Sequence, residues 1–359
     1  MSDDTAPEDP AVTALRFQSG ACQALGSAFS AEILRLAAED LAAGGPTAPL
    51  FAPWTGRDAR AQMADAVPLR LLGALHDLAL SGAAPGLAAH YPTPGAAGDA
   101  GAAWREALAL MAGQQARLAA FMSHEPQTNE TRRSAALLPG FLTVAAETGL
   151  PLRCFEIAAS AGLNSLWDQY HYDFGGAVGR WGDASAAVRL DTDWRGPAPP
   201  LSTRARVVER GACDRAPVDV RDPIARRRLQ AYIWPDQLER LARVEAAIEA
   251  VRAADLAVEA ANALTWVERR AAPEAGAATV LFHSVFWVYM PPEDQAALTA
   301  AIQRLGERAT ADAPFAWLRM EAQPGNLALM DLRLTLWPGG EDRLLGHAHP
   351  HGAWVEWLG

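Results

Sequence analysis

The chain has few cysteines, and they form no pattern. Only Cys22, Cys154 and Cys213 occur in 359 residues, and none belongs to a CxxC pair. This spacing excludes a disulfide framework and a zinc knuckle built on paired cysteines. We therefore expect the fold to depend on a hydrophobic core, for which a chain of this length has enough residues.

Positive charge is also scarce. The sequence has 31 Lys and Arg against 42 Asp and Glu, for a net charge of −11, and its one dense basic run is Arg226-Arg227-Arg228. Nucleic-acid binding requires a concentrated basic surface, so the composition argues against a nucleic-acid partner. A single arginine triplet is typical of a solvated helix face.

Long apolar runs free of charge are absent as well. The most apolar long window, 69–89, contains Arg70, His76 and Asp77, which does not fit a membrane span. The first eleven residues are acidic and have no apolar core, which argues against a signal peptide. We expect a cytoplasmic protein that works on a small molecule and contacts neither a membrane nor nucleic acid.

The character of the sequence changes near residue 150. Residues 11–148 carry alanine- and leucine-rich stretches with helical periodicity and no convincing strand, which predicts an all-helical N-terminal domain over residues 1–148. Over residues 149–359, short apolar runs alternate with helical segments. This alternation predicts an α/β domain with a Rossmann-like, doubly wound, mostly parallel sheet.

Seven strands are predicted in the second half, and one long insertion interrupts them. The predicted strands are 152–157, 205–213, 256–261, 278–287, 315–320, 327–337 and 353–358. The last two are predicted to form an antiparallel edge hairpin around Pro338-Gly339-Gly340. The insertion, 175–203, is rich in Gly, Pro and Trp, and a loop of that length is usually functional or mobile.

The segment EIAASAGLN, residues 156–164, follows the first predicted strand and has three interpretations. It matches a loosened acidic–x–Gly–x–Gly–x–Gly cofactor loop, in which small residues let the backbone approach a ligand beside a helix N-terminus. It also matches a loosened nucleophile elbow of an esterase, with Ser160 as the nucleophile and His351 downstream. The third interpretation is a tight turn of small residues without a function.

Strand order favours the cofactor loop over the esterase. A nucleophile elbow follows a central strand that several strands precede, whereas 152–157 is the first predicted strand of its sheet. The acidic Glu156 at the end of that strand is also unexplained in an esterase. Because Ala158 and Ser160 stand where glycines are expected, we expect both to have negative φ angles.

Longer stretches carry a resemblance to a known family. The stretch EIAASAGLNSLWDQYHYDFG, residues 156–175, resembles a segment of an uncharacterised bacterial family, the domain-of-unknown-function family 2332. Further similar stretches occur along the chain, in the family's order: 127–141, 209–223, 231–248, 282–291 and 351–357. The family's segment in turn resembles motif I of class I S-adenosylmethionine-dependent methyltransferases. This chain has Ala158 where the family usually has glycine.

The resemblance to methyltransferases implies a cofactor site across the carboxyl ends of the first three strands. Glu156, the backbone of Ala158, Ser160 and Gly162, and Asn164 would hold the methionine portion of S-adenosylmethionine.

The next two strand ends would hold the nucleoside. Asp214, preferred over Glu209, would bind the ribose hydroxyls, and Asn262 would meet the edge of the adenine. The alternatives are a turn-forming aspartate in a solvated loop and a turn or helix N-cap at Asn262.

Two further segments contribute candidates. His283 is the proposed general base, and its alternative is a core histidine that bonds to a backbone carbonyl. Tyr289 is proposed to shape the acceptor pocket, and its alternative is packing. In the polar run QTNETRR, Thr128, Asn129 and Arg133 are proposed to contact the cofactor or the acceptor. The alternative for Thr128 or Asn129 is a helix N-cap.

A third segment, HAHPH, places His347, His349 and His351 at strand spacing on one face, but Cys and Glu are lacking at supporting spacing. We therefore predict no metal site.

The preferred functional hypothesis is an S-adenosylmethionine-binding protein, with methyl transfer to a small molecule as the candidate reaction. The second hypothesis is a non-catalytic ligand-binding or structural relative of that fold. The third is a serine esterase that uses Ser160. Fold alone does not distinguish them.

Overall fold

The chain divides into two units whose boundaries differ from the predicted ones. The computed structural model describes residues 8–93, 95 and 97–359. Within these, unit 1 runs up to Thr128 and includes Asp222–Ala242, and unit 2 consists of Asn129–Arg221 and Arg243–Gly359. The helix before the first strand thus belongs to unit 2, and 222–242 belongs to unit 1. Residues 1–7 of the N-terminal segment that argued against a signal peptide lie outside the described residues.

Helices occur throughout the chain. In chain order they are α1 (Pro10–Ala24), α2 (Ala28–Ala42), α3 (Ala48–Phe51), α4 (Ala59–Ala64), α5 (Val67–Leu80), α6 (Pro85–Ala88), α7 (Ala100–Met122), α8 (Arg133–Thr148), α9 (Pro223–Ala231), α10 (Leu238–Ala253), α11 (Ala263–Arg270) and α12 (Pro292–Gly306). Short 3₁₀ segments cover Ala52–Trp54, Leu163–Gln169 and Trp287–Tyr289.

Unit 1 is helical, as predicted. Acidic and hydroxyl side chains cap several of its helices: Asp9, Ser27, Asp58 and Asp99 each accept a hydrogen bond from a first-turn amide. No strand occurs among its described residues. Nor does any described helix combine the length and apolar character needed to cross a bilayer.

Buried polar groups of α5 explain why the segment 222–242 belongs to unit 1. Asp77 accepts hydrogen bonds from Arg117 Nη2 at 2.8 Å and from Arg227 Nε at 2.7 Å. His76 Nδ1 lies 3.1 Å from the carbonyl oxygen of Ala231, and burial lowers the pKa of His76 to about 4. The polar residues that argued against a membrane span in this window therefore have hydrogen-bond partners inside the unit.

Unit 2 contains a large, mostly parallel sheet and a small one. The strands are β1 (Leu152–Ile157), β2 (His171–Asp173), β3 (Arg180–Trp181), β4 (Arg189–Asp191), β5 (Asp193–Arg195), β6 (Val207–Asp214), β7 (Glu259–Ala260), β8 (Ala278–Ser284), β9 (Phe315–Gln323), β10 (Asn326–Trp337), β11 (Glu341–Ala348) and β12 (Trp354–Trp357). The large sheet has the order β5-β12-β11-β10-β9-β8-β1-β6-β7, and the small sheet has the order β3-β2-β4. The predicted mixed α/β architecture with a helical N-terminal region is confirmed.

The far end of the large sheet differs from the prediction. The hairpin at 338–340 joins β10 to β11, a strand that the sequence analysis missed, and β12 pairs with β11. The edge is not this hairpin but β5, which comes from the 175–203 insertion and pairs in parallel with β12. Two acidic residues open β11 in the sequence GEDRLLGHA, and they obscure its alternation.

Helices cover both faces of the sheet. On one face, Phe141 of α8 packs edge-on against Phe282 of β8 at 4.9 Å between ring centroids. On the other face, Phe155 and Leu281 belong to an apolar cluster with Trp266 of α11. Because side chains alternate along a strand, Cys154 and Glu156 face α8, whereas Phe155 and Ile157 face α11 and α12.

Gly140 allows α8 to lie close to β9, which makes it a test of this packing. A methyl group at Gly140 would lie 2.3 Å from Leu318 Cδ1, and Leu318 is fully buried. We expect Gly140→Ala to lower the free energy of unfolding by about 1–3 kcal/mol through overpacking. Urea unfolding checks this.

Gly113→Ala is the control, because it lies on an exposed helical face of α7 with nothing within 4 Å. This control is expected to gain about 0.5–1 kcal/mol from helix propensity. Equal effects of the two variants would contradict the packing account.

Candidate functional site

The order of strands reverses beside β1. From β1 the chain proceeds to β6 and β7 on one side, and then to β8 and β9 on the other. Ligands of open α/β sheets bind outside the carboxyl ends of the strands at such a reversal. The carboxyl ends of β1 and β8 are therefore the place to look for a site.

The loop after β1 has an unusual backbone. Ala158 has φ 55° and Ser160 has φ 53°, both in the left-handed region. The expectation of negative φ at these two positions is wrong. The left-handed conformation costs a non-glycine residue roughly 1–2 kcal/mol, so other interactions must hold this loop.

Two side chains hold the loop by accepting hydrogen bonds from its amides. Asp214 Oδ2 accepts from Ser160 N at 2.8 Å. Asn129 Oδ1 accepts from Ala161 N at 3.2 Å and from Leu163 N at 3.0 Å. Asn129 is itself left-handed, with φ 36°. These amides are thus satisfied within the protein, and the loop is fixed before any ligand arrives.

The loop after β8 is built in the same way. Val285 has φ 52°, which is rare for a β-branched residue. Glu321, near the end of β9, accepts hydrogen bonds from the amides of Phe286 and Trp287 at 3.0 Å each. Strained backbone of this kind is concentrated at functional sites, so both loops mark the reversal as a candidate site.

Glu156 is the buried acid at the centre of this site. It is 2 % exposed, and burial raises its pKa to about 8, although a hydrogen bond from Ser165 Oγ and the nearby Arg133 guanidinium oppose that rise. Ser165 donates to Oε2 of Glu156, and Oε1 has no hydrogen bond to any other described residue. At neutral pH the carboxyl group is therefore largely protonated, with one oxygen available to a ligand.

The start of α8 connects the two loops. Arg133 Nε donates to the carbonyl oxygen of Pro350 at 2.9 Å, and its Nη1 lies 3.4 Å from the carbonyl oxygen of Ser284. Asn164 is buried; its Oδ1 accepts from Ser134 Oγ at 2.6 Å. The structure thus places Asn129, Arg133, Glu156 and Asn164 around the turn after β1, and their contacts with a cofactor stay a prediction. Thr128 is the last residue of the first segment of unit 1, and its proposed contact stays a prediction.

His283 lies on the opposite face of the sheet from Glu156. Its ring is fully buried, and Trp317 Nε1 donates to His283 Nε2 at 3.0 Å. Nδ1 therefore carries the proton and donates to Glu321 Oε1 at 2.6 Å. Both ring nitrogens are therefore hydrogen-bonded, and no lone pair of His283 is free to abstract a proton. In this geometry, His283 positions Glu321.

The remaining candidates are more exposed. Tyr289 is 77 % exposed in the 3₁₀ turn after β8, so it does not line a closed pocket. Asn262 caps α11, and its Oδ1 accepts from Leu264 N at 2.9 Å, as the alternative interpretation proposed. Asp214 accepts from Ser160 and also from Ala216 N at 2.9 Å, in the turn that follows β6.

The three histidines of HAHPH do not share a strand face. Only His347 lies in β11, which ends at Ala348, and its Nδ1 lies 3.0 Å from Asp331 Oδ1. Pro350 ends the extended pattern, and His349 Nδ1 accepts a hydrogen bond from the amide of His351. No cluster of three potential metal ligands occurs in the part of the chain that the structure describes.

Sequence reasoning missed Glu321 and Ser165. Glu321 immediately follows the predicted strand 315–320. An acidic residue at the end of a strand, the feature that identified Glu156, could therefore have identified it as a site residue. Ser165 lies nine residues after Glu156, beyond the loop itself, and its contact depends on the turn geometry.

Unit 2 is thus a mixed α/β domain with polar side chains gathered where its strand order reverses. The chain belongs to a bacterial family whose model matches residues 12–357 and whose description is "Uncharacterized protein conserved in bacteria (DUF2332)". No curated protein and no solved structure shows a significant match to the chain.

The strained loop yields a stability prediction. Ala158→Gly and Ser160→Gly are each expected to raise the free energy of unfolding by up to about 1 kcal/mol, because glycine adopts positive φ without the steric cost that alanine or serine carries. Chemical denaturation measures the change.

Ala159→Gly is the matched control, since Ala159 is buried and does not have a positive φ. It is expected to destabilise the protein, and a gain there equal to the gain at Ala158 would refute the explanation.

The raised pKa of Glu156 predicts a pH dependence of stability. Between about pH 4.5 and 8 the folded protein keeps a proton on Glu156 that the unfolded chain releases, so this group lowers the free energy of unfolding as pH rises. Glu156→Gln should remove that decline. From pH 5 to pH 8.5, the free energy of unfolding of the variant should therefore rise relative to that of wild type. The expected change is more than about 1.4 kcal/mol, the equivalent of one pKa unit.

The measurement is urea unfolding of both proteins at several pH values. Glu356→Gln, at an exposed position of β12, is the control and should run parallel to wild type. A Glu156→Gln curve that also runs parallel to wild type would show that Glu156 titrates normally.

Proposed function

We propose that unit 2 binds S-adenosylmethionine at the carboxyl ends of β1, β6 and β7. The observation that carries the proposal is Glu156, a buried acid with one unpartnered oxygen among the described residues, beside a strained loop where strand order reverses. Strained, pre-organised backbone beside a buried acid is typical of ligand sites.

The sheet supports a Rossmann-like interpretation of the domain. The five strands β7-β6-β1-β8-β9 are parallel, and the first of them in the chain lies in the middle. The antiparallel β10 continues the sheet beyond β9. A doubly wound order of this kind is used by many nucleotide-binding folds.

Arg133 and Glu156 suit the amino-acid end of the cofactor. A guanidinium binds a carboxylate, and an ionised glutamate binds an ammonium group. The Arg133 guanidinium lowers the pKa of Glu156, and we propose that the two side chains bind the two charged groups of an α-amino acid. Because the acid is protonated when unliganded at neutral pH, binding an ammonium group is expected to release its proton.

The nucleoside end has acceptors and donors at the next two strand ends. A carboxylate offers about four acceptor positions, and backbone amides occupy two of them on Asp214. The other positions can accept hydrogen bonds from ribose hydroxyls. Asn262 uses Oδ1 in its cap, and its Nδ2 has no hydrogen bond to a described residue. Nδ2 is thus a donor for an adenine nitrogen.

A non-catalytic relative is the second candidate, and a specific observation favours it. The cofactor supplies an electrophilic methyl group, and methyl transfer to a protonated acceptor needs a base in addition to alignment. The proposed base, His283, faces the other side of the sheet with both nitrogens engaged. We therefore propose binding as the function of the site and keep methyl transfer as the candidate reaction for acceptors that need no base from His283.

Calorimetric titration with S-adenosylhomocysteine tests the proposal. We expect binding, and a loss of affinity of about tenfold or more in Glu156→Gln, the equivalent of about 1.4 kcal/mol. Wild-type affinity should rise with pH up to about 8, because only the ionised acid accepts the ammonium group. Comparison with Glu156→Gln cancels the titration of the ligand's own amino group.

Glu356→Gln is the control and should bind as wild type does. Absence of heat and of thermal stabilisation at saturating ligand would exclude the proposal. Binding without methylated product in acceptor screens would favour the non-catalytic relative.

A further inference from the structure

A cleft on the other face of the sheet has features that the proposed cofactor site does not use. It has a volume of about 400 Å³ and lies between α12 and the strands β9, β10 and β11. Three tryptophans line it: Trp287, Trp317 and Trp337. Pockets of this size with aromatic walls and a few polar groups are typical ligand sites.

Strand alternation builds the floor of the cleft. Trp317, Arg319 and Glu321 occupy alternate positions of β9, and Thr335 and Trp337 do so on β10. Thr335 and Trp317 are directly paired across the two strands. The floor is therefore part of the regular sheet, and its geometry does not depend on a loop.

Two glycines fix the wall formed by Trp337. A methyl group at Gly306, the last residue of α12, would lie 2.4 Å from the Trp337 ring, and one at Gly340 would lie 2.6 Å from its Nε1. The ring thus lies against backbone at both positions. Larger residues there would displace it, so these glycines set the position of the indole ring that lines the cleft.

The charged groups in the cleft already have partners. The Arg319 guanidinium lies 4.0 Å above the Trp317 ring, and its Nη2 donates to Asp342 Oδ1 at 2.8 Å. Both oxygens of Glu321 accept hydrogen bonds from His283 or from backbone amides. A cationic ligand would meet Arg319, and an anionic one would meet two carboxylates. The arrangement therefore favours a neutral ligand.

The rim offers hydrogen-bonding groups that are still available. Thr299 and Gln303 of α12 line the cleft, and their side chains make no hydrogen bond to other residues in the described part of the chain. A neutral ligand that matches this cleft has one apolar face for an indole and a polar edge for an amide and a hydroxyl.

We propose that this cleft binds a neutral saccharide. The C–H face of a pyranose ring is apolar and stacks on an indole, while its ring of hydroxyls provides donors and acceptors for Gln303 and Thr299. A quaternary ammonium group lacks the polar edge and would compete with the guanidinium that already covers Trp317. The proposal is independent of what binds beside Glu156, because the two sites lie on opposite faces of the sheet.

The test is saturation-transfer NMR and calorimetry on the full chain with maltotriose, cellotriose and triacetylchitotriose. We expect at least one of them to bind saturably at millimolar concentration. Trp337→Ala should weaken that binding by about tenfold or more, the equivalent of about 1.4 kcal/mol. Trp194→Ala, in β5 of the insertion, is the matched tryptophan control and should bind as wild type does.

Gln303→Ala keeps the test decisive if Trp337→Ala does not fold. Gln303 is exposed on α12, and its truncation should weaken binding several-fold without a change in thermal stability. Failure of all three saccharides to bind overturns the proposal, and so does binding that neither variant changes. Binding of tetramethylammonium or indole in place of the saccharides overturns it as well.

Discussion

The candidate site depends on side-chain oxygens that accept hydrogen bonds from strained backbone amides. Asn129 and Asp214 do this for the loop after β1, and Glu321 does it for the loop after β8. Each acceptor comes from a different part of the chain, so the loops take their shape only when the sheet has assembled. Left-handed alanine, serine and valine are stable here because buried amides that lost these acceptors would incur a larger penalty.

Local sequence patterns predicted the parts of the fold that depend on neighbouring residues, and not those that depend on long-range contacts. Helical periodicity before residue 148 and strand–helix alternation after it are local signals, and both predicted the right element types. The assignment of α8 to unit 2 and of 222–242 to unit 1 depends on long-range contacts, such as that of Asp77 with Arg227, which no local pattern carries. The strand β11 was missed because its charged opening masks its alternation.

The site was predictable in composition but not in orientation. Small residues after the first strand, an acid at its end and the polar run 127–133 all pointed to the same place. The face of the sheet on which His283 lies was not predicted, because a shift of one residue along a strand moves a side chain to the opposite face. The sign of φ at Ala158 and Ser160 was misjudged for a related reason: steric preference was considered without the acceptors that override it. The three tryptophans around the cleft were not predicted to lie together either, because their positions depend on strand register, which cannot be inferred from the sequence alone.

A crystal structure of the protein soaked with S-adenosylhomocysteine tests the central proposal most directly. The account predicts ligand density at the carboxyl ends of β1 and β6, with the amino group beside Glu156, the ribose beside Asp214 and both loops unmoved from their left-handed conformation. Ligand density at another place, or no density at this site after soaking at a saturating concentration of S-adenosylhomocysteine, would contradict it.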